Sequence, residues 1–537
     1  MKKIYLLLIF VMLISLLLVG CKTNEPEHQH NYNHSIVMTD PTDTARGYTT
    51  YTCECGESYV SEGEIATQGL TYSLNTDETY TVTGISENDS TNRIIIPSHY
   101  EGLPVVAIGA NAFKDTSVTE IVIPSTVTKI GHLALCASLN FENVEVNENN
   151  EHFTTVDGVL YSKDKTTLVQ YPIGRDNTSF EIPSHVSVIG NGAFCNATSL
   201  TSITIPAGVT SIGDEAFKYC KFIELSLPEA LTAIGDGAFE MCKDLTTINV
   251  PDTVTTIGES AFAYCEKISA INIPTGITNI GNNTFSYCYQ LRSITLPDTV
   301  TSIGERAFEW CDGLIVVQLS PALTNIGVSA FSNCKRLSHI TLPGGLMHLG
   351  EWAFSWCDSL KSVNIPSSIG VVSDKAFYMC RSLEEIEISE GITSIGEMAF
   401  YECYDLETVS IPSTVESIGE RAFSGSLALK TIKVSPDNEH FISYGGALYT
   451  HNGRTLIQYA VGKDAKTFTV AYAVDKIECG AFTGAENLIE VYFEKTSGWL
   501  AGSNDIDPEG LSDPERAAYY LTENYDYATW EQSFNTV

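Results

Sequence analysis

The chain has 537 residues, 43% of them hydrophobic, and sets 66 acidic against 30 basic residues for a formal net charge of −36. So acidic a surface repels nucleic acid and anionic membranes, and no cluster of Lys and Arg stands ready to track phosphates. The sequence holds no H-E-x-x-H, G-x-S-x-G, phosphate-binding G-x-x-x-x-G-K or G-x-G-x-x-G, so nothing in it points to an enzyme, and no D-x-D-x-D-G loop directs the acidic residues to calcium.

Lys2 and Lys3 precede an apolar run from Ile4 to Gly20, the basic and hydrophobic regions of a secretory signal peptide over residues 1–20. The run ends Leu18-Val19-Gly20-Cys21, which resembles the lipobox of bacterial lipoproteins. That resemblance implies cleavage before Cys21, a lipid on Cys21, and membrane contact through this anchor only. The alternative is an uncleaved span, for which the run is short. Residues 21–69 are polar and rich in Thr, Glu and His, and read as a tether with at most a small Cys/His module. Within it His28 and His30, followed by Cys53 and Cys55, are the residue types that hold zinc. A C-x-C pair is weak ground for a metal, and a solvated tether is the alternative; no other cofactor is expected.

From Leu70 the pattern alternates through Leu70, Tyr72, Leu74, Tyr80 and Val82, with a turn at Asn75 to Glu78, a hairpin able to close one end of a stack. Repeats fill residues 70–495. One copy reads Ile257-Gly258, Ala261-Phe262, Cys265, Ile268 and Ile271-Asn272-Ile273-Pro274. The leading position recurs from Ile189 to Ile418 at a step of 23 residues, with one step of 22, and earlier and later copies begin at Ile108, Ile130 and Ile477. A period in this range marks a solenoid, whose units bury their apolar faces only against one another. Ile271-Asn272-Ile273 reads as a short strand ended by Pro274, and Ala261, Phe262 and Cys265 have the spacing of one or two helical turns. Nine cysteines, from Cys220 to Cys403, hold one place in consecutive repeats, and the expected role is a buried column of free thiols.

This consensus resembles the BspA-type leucine-rich repeats of bacterial surface proteins across residues 70–495. The resemblance implies an α/β solenoid: a right-handed coil with a parallel sheet on one face, short helices on the other, and inserted β-hairpins. Val156 to Tyr161 with Leu168 to Pro172, and Tyr444 to Tyr449 with Leu456 to Tyr459, are two such hairpins, expected to project as ribs. Residues 496–537 read as a terminal cap, with Ser512 capping a helix that Pro514 opens.

Two columns offer surfaces for function. Ser202, Thr204, Thr247, Asn249, Asn272, Thr295, Gln318, Thr341 and Asn364 lie between apolar strand residues and would hold hydroxyl and amide groups on a rigid sheet. Tyr219, Tyr264, Tyr287, Trp310 and Trp356 stand two residues after the repeat Phe, about 200° away on a helix, and form a candidate platform for sugar rings. Both columns also have a structural reading, as the polar face of a sheet and as a self-packing shield. The family resemblance implies adhesion to extracellular proteins of a host or of other bacteria from a lipid-anchored place at the cell surface. The alternatives are glycan capture through the aromatic column and a purely architectural envelope role.

Overall fold

The computed structural model describes residues 35–86, 91–114, 116–136 and 139–532; Cys21, His28 and His30 lie outside the described residues. The repeats wind into a solenoid of about 18 turns with mostly parallel sheets. Each coil carries a strand of two to four residues such as Thr247–Asn249, a turn at the repeat Pro, and a two-residue strand such as Thr256–Ile257. Both strands pair in parallel with their equivalents one coil away: Thr247 with Glu224 and Ala270, and Thr256 with Ala233. The wall expected to carry short helices is built of tight turns instead.

The reason lies in where the amides point. Phe239 N–H donates to Ala261 O at 2.8 Å and Met241 N–H to Ala263 O at 2.9 Å, both one coil on. The amides between them turn back within the coil, Glu240 N–H to Gly237 O at 2.9 Å and Cys242 N–H to Phe239 O at 3.1 Å. A helix would spend every amide inside the coil. Aiming alternate amides along the solenoid axis requires left-handed residues, and Ser260 and Tyr264 accordingly have φ of 54° and 59°. This third wall is therefore a hydrogen-bonded ladder too. It brings coils so close that a Cβ on Gly258 would lie 2.4 Å from Asp236 N, which fixes glycine there.

Inside, Ala261, Phe262 and Cys265 are fully buried. The repeat phenylalanines form an unbroken stack from Phe194 to Phe423, with neighbouring centroids 5.1 Å apart at Phe308–Phe331 and 5.7 Å at Phe262–Phe285. Each column thiol donates to the phenylalanine carbonyl of the coil before, as Cys265 Sγ does to Phe239 O at 3.2 Å and Cys311 Sγ to Phe285 O at 3.1 Å. The nine column cysteines form no disulfide and are buried. Ser426 holds the same place and makes the same bond to Phe400 O at 3.4 Å.

The hairpin insertions are built into the stack and do not project. Leu160, Leu168, Leu448 and Leu456 are fully buried, and Thr167–Gln170 and Thr455–Tyr459 join the parallel ladder. A buried asparagine enters each insertion. Asn438 donates to Pro412 O at 2.8 Å and Val415 O at 3.0 Å, and accepts from His440 N–H at 2.8 Å and Phe441 N–H at 2.7 Å. Asn150 makes the equivalent four bonds.

Both ends are closed. The hairpin of Leu70–Leu74 and Tyr80–Ile85 adds to the first coil. Within the segment read as a tether with at most a small module, three antiparallel strands form, Ser35–Thr39, Tyr48–Thr52 and Ser58–Glu62. They dock on the solenoid through Asp40, whose carboxylate accepts from Ser125 N–H at 2.7 Å and Asn147 Nδ2 at 2.6 Å. At the far end Trp530–Gln532 lies antiparallel on Lys476–Ile477, over buried Trp499 and Trp530. Ser512 ends the helix Pro508–Ser512; the cap of the next, Pro514–Tyr519, is Asp513, which accepts from Glu515 N–H at 3.1 Å.

Burial pushes every column thiol up, Cys288 to about 12 and Cys265 and Cys311 well above the ordinary value. An acid whose folded pKa is raised stabilises the fold fully below its unfolded pKa, about 8.5 for cysteine, and loses that contribution as pH rises toward the folded value. Urea midpoints should therefore hold to about pH 8.5 and fall steeply above it. Cys311→Ser, which keeps a donor to Phe285 O, should reduce the slope by about 1.4 kcal/mol per pH unit; an unchanged slope would contradict the thiol assignment.

Candidate functional site

The strand face is the broadest regular surface of the molecule. Along each short strand the central residue is buried and its neighbours are exposed, as in Thr247-Ile248-Asn249, Ser293-Ile294-Thr295 and Ser362-Val363-Asn364. The pleat alternates side chains between faces, and pairing places Thr295 beside Gln318 and Asn364 beside Glu387. Ser202, Thr204, Thr341 and the other residues expected on this face are exposed there, in two parallel rows.

Asn272 differs. Its Oδ1 accepts from Val250 N–H at 2.9 Å and its Nδ2 donates to Val250 O at 2.6 Å. At the equivalent place two coils further on the backbone bond is direct, Leu296 N–H to Gln318 O at 2.9 Å. The Asn272 amide thus bridges two coils where the strand ladder breaks, and it is committed to the fold.

The face is hollowed at two places. One hollow of about 640 Å³ lies over Asn249, Ala270, Asn272, Ser293 and Thr295. The larger, about 970 Å³, spans Thr341, Asn364, Glu385, Glu387, Asp405 and Glu407. Lys361 pairs with Glu384 at 3.0 Å and Lys430 with Glu407 at 2.9 Å. Among the described residues no ion pair engages Glu385, Glu387 or Asp405, so this hollow is net negative. Sequence reading missed its acidic rim at Glu384, Asp405 and Glu407; the signal was Glu384-Glu385-Ile386-Glu387, where polar side chains in other copies give way to carboxylates.

The aromatic column is real, but its outward direction comes from left-handed backbone and not from helical rotation: φ is 64° at Tyr219, 62° at Tyr287 and 60° at Trp310 and Trp356. Tyr264 and Tyr287 stack at 4.3 Å, and Tyr287 and Trp310 at 6.2 Å. Cations cover the tryptophans, with Lys335 Nζ 4.7 Å from the Trp310 ring and the Arg381 guanidinium 4.6 Å from that of Trp356. At Tyr287, Trp310 and Trp356 ring faces a sugar would use are spent on neighbours, while Tyr219 is exposed. In the N-terminal module Cys53 is buried and Cys55 exposed, and no group of three or more metal-ligating side chains forms among the described residues.

With the geometry in place, comparison with known proteins is informative. The family model for the BspA type leucine rich repeat region matches residues 87–163, 174–292, 278–373 and 324–445. A solved leucine-rich repeat protein from Bacteroides ovatus is 26% identical, over 80% of this chain and 94% of its own, at a TM-score of 0.42. One from Eubacterium ventriosum is 32% identical over 47% of this chain and 62% of its own, at 0.37. A leucine rich cell surface protein from Faecalibacterium prausnitzii is 26% identical over 69% of this chain and 94% of its own, at 0.33. No curated protein matches.

Because Lys335 lies on Trp310, Lys335→Ala should cost about 0.5 kcal/mol and uncover the indole. Acrylamide quenching of the fluorescence component that Trp310→Phe removes should rise in that variant; no change would mean the cation does not shield the ring.

Proposed function

The chain belongs to the BspA-type leucine-rich repeat family, and we propose that it is a non-catalytic cell-surface protein that binds macromolecules through its strand face. The observation that carries this reading is the hollowed face of polar side chains on a laddered sheet, joined at one end by Glu385, Glu387 and Asp405. Side chains on a hydrogen-bonded sheet lose little freedom on binding, so each contact yields more affinity. The carboxylates favour a partner segment bearing Lys or Arg, by charge complementarity. A protein fits this chemistry better than a neutral glycan. The stacked and cation-covered aromatic column supports the shield reading, and leaves glycan capture as the second hypothesis.

Cys21 remains the proposed lipid attachment, since it stands where the hydrophobic region ends. Cys21→Ser should abolish fatty-acid labelling in the producing cell; persistent labelling would refute it.

The binding proposal is tested with the chain from Lys22 onward on arrays of extracellular matrix proteins and glycans. A hit on basic proteins that weakens with salt is expected, since exposed charges are screened within about 8 Å at physiological ionic strength. Replacing Thr341 with Ala and Glu385 and Glu387 with Gln should leave stability within about 0.5 kcal/mol, as surface changes do, and lower affinity at least about tenfold. Binding that survives this change and is lost with Tyr287→Ala and Trp310→Ala in a folded protein would move the site to the aromatic column.

A further inference from the structure

Cys136 and Cys195 stand apart from the column of nine thiols. Each follows the interior position of its coil, Leu135 or Phe194, by one residue. In two successive regular coils that place belongs to Ser332 and Ser355, whose Oγ atoms are 2.8 Å apart. Side chains at this position therefore meet across one coil step.

The first hairpin insertion separates the two cysteines in sequence but not in space. The coil it contributes leaves Gln170 through Tyr171, Pro172 and Gly174 without the long run of tight turns. The turns before and after it consequently lie on one another. A Cβ on Gly192 would come within 2.6 Å of Leu133 Cδ2, and Cys136 Sγ donates to Cys195 O at 3.1 Å. The neighbouring Cys195 and burial hold the Cys136 thiol well above its ordinary pKa. Column thiols do not share this arrangement, each being engaged with a phenylalanine carbonyl. The second insertion has Ser424 and Thr483 at the matching places, with Ser424 Oγ donating to Gly480 O at 2.7 Å.

We propose that Cys136 and Cys195 are a disulfide site, a covalent staple across the first hairpin insertion that forms when the protein reaches an oxidising exterior. This rests on the surface location proposed above and not on the binding face. The two thiols react with the disulfide of an external thiol–disulfide donor. One protein S–S bond forms, the donor S–S bond breaks, and two protons and two electrons pass to the donor, which leaves as two thiols. The first cysteine to lose its proton attacks the donor, and the second resolves the mixed disulfide. Both side chains are buried, at 1% and 2% exposure. Oxidation therefore takes place before the two turns close on one another, and the finished bond is out of reach of dissolved reductants.

The chain from Lys22 onward is unfolded with reductant, refolded in mixed oxidised and reduced glutathione, acid-quenched, alkylated in denaturant and digested. The expected result is a linked peptide joining Cys136 to Cys195, with the nine column thiols alkylated. Its urea midpoint should exceed that of the reduced protein, which Cys136→Ser should match under either condition. Full alkylation of both cysteines in the refolded protein, or linkage of Cys136 to another cysteine, overturns the proposal. The same mapping on acid-trapped protein from intact producing cells should show the link, and free thiols there overturn oxidation at the surface. None of these readouts depends on a ligand, so a failed binding screen leaves the disulfide standing and the reverse.

Discussion

The hydrogen bond that runs along the solenoid axis, from one coil to the next on all three walls, is the constraint from which the rest follows. Parallel strands sit about 4.8 Å apart, so coils joined this way have little room between them. Gly258, Gly350 and Gly419 are glycine because a side chain there would strike the neighbouring backbone. Aromatic rings of adjacent coils are driven into an offset stack. On the third wall the bond comes with two left-handed residues in each turn run, such as Ser260 and Tyr264, a cost of about 1 kcal/mol each that the ladder bonds offset. The repeat is strict because each coil is a template for the next.

A ladder of this kind must also end, since an open edge invites pairing with other chains. Here a hairpin and the docked N-terminal strands close one end, and an antiparallel strand with two buried tryptophans closes the other. The two insertions solve a related problem. Each departs from the coil at a buried asparagine that satisfies two carbonyls and two amides, so the chain leaves the ladder and returns without an unpaired backbone group at that corner.

Acidic residues divide between two tasks. Some serve the ladder: Asp236 Oδ1 accepts from Glu259 N–H at 2.8 Å, and Asp374 Oδ1 from Glu397 N–H at 2.7 Å, both one coil on. Those at Glu385, Glu387 and Asp405 stand on the open strand face and give it a sign. The aromatic residues make the opposite use of exposure, covering one another on the turn wall. A rigid hollowed face beside a self-satisfied one argues for recognition on the first.

By itself the sequence determined the period, the inward set of Ile, Ala, Phe and Cys, the strand rows, the hairpins and the closing cap, because burial leaves a repeating apolar signature at fixed spacing. The structure alone decided that the turn wall is not helical, since Ala261, Phe262 and Cys265 keep the same spacing on a helix and on a run of tight turns, and only the neighbouring coil draws alternate amides outward. It gave the amide of exposed Asn272 to the ladder, because its partner, Val250, belongs to another coil. It also brought Cys136 against Cys195 across a hairpin, and docked the strands of the N-terminal module on the solenoid through Asp40. Each of these depends on contacts between residues far apart in the chain, and a local pattern does not contain them.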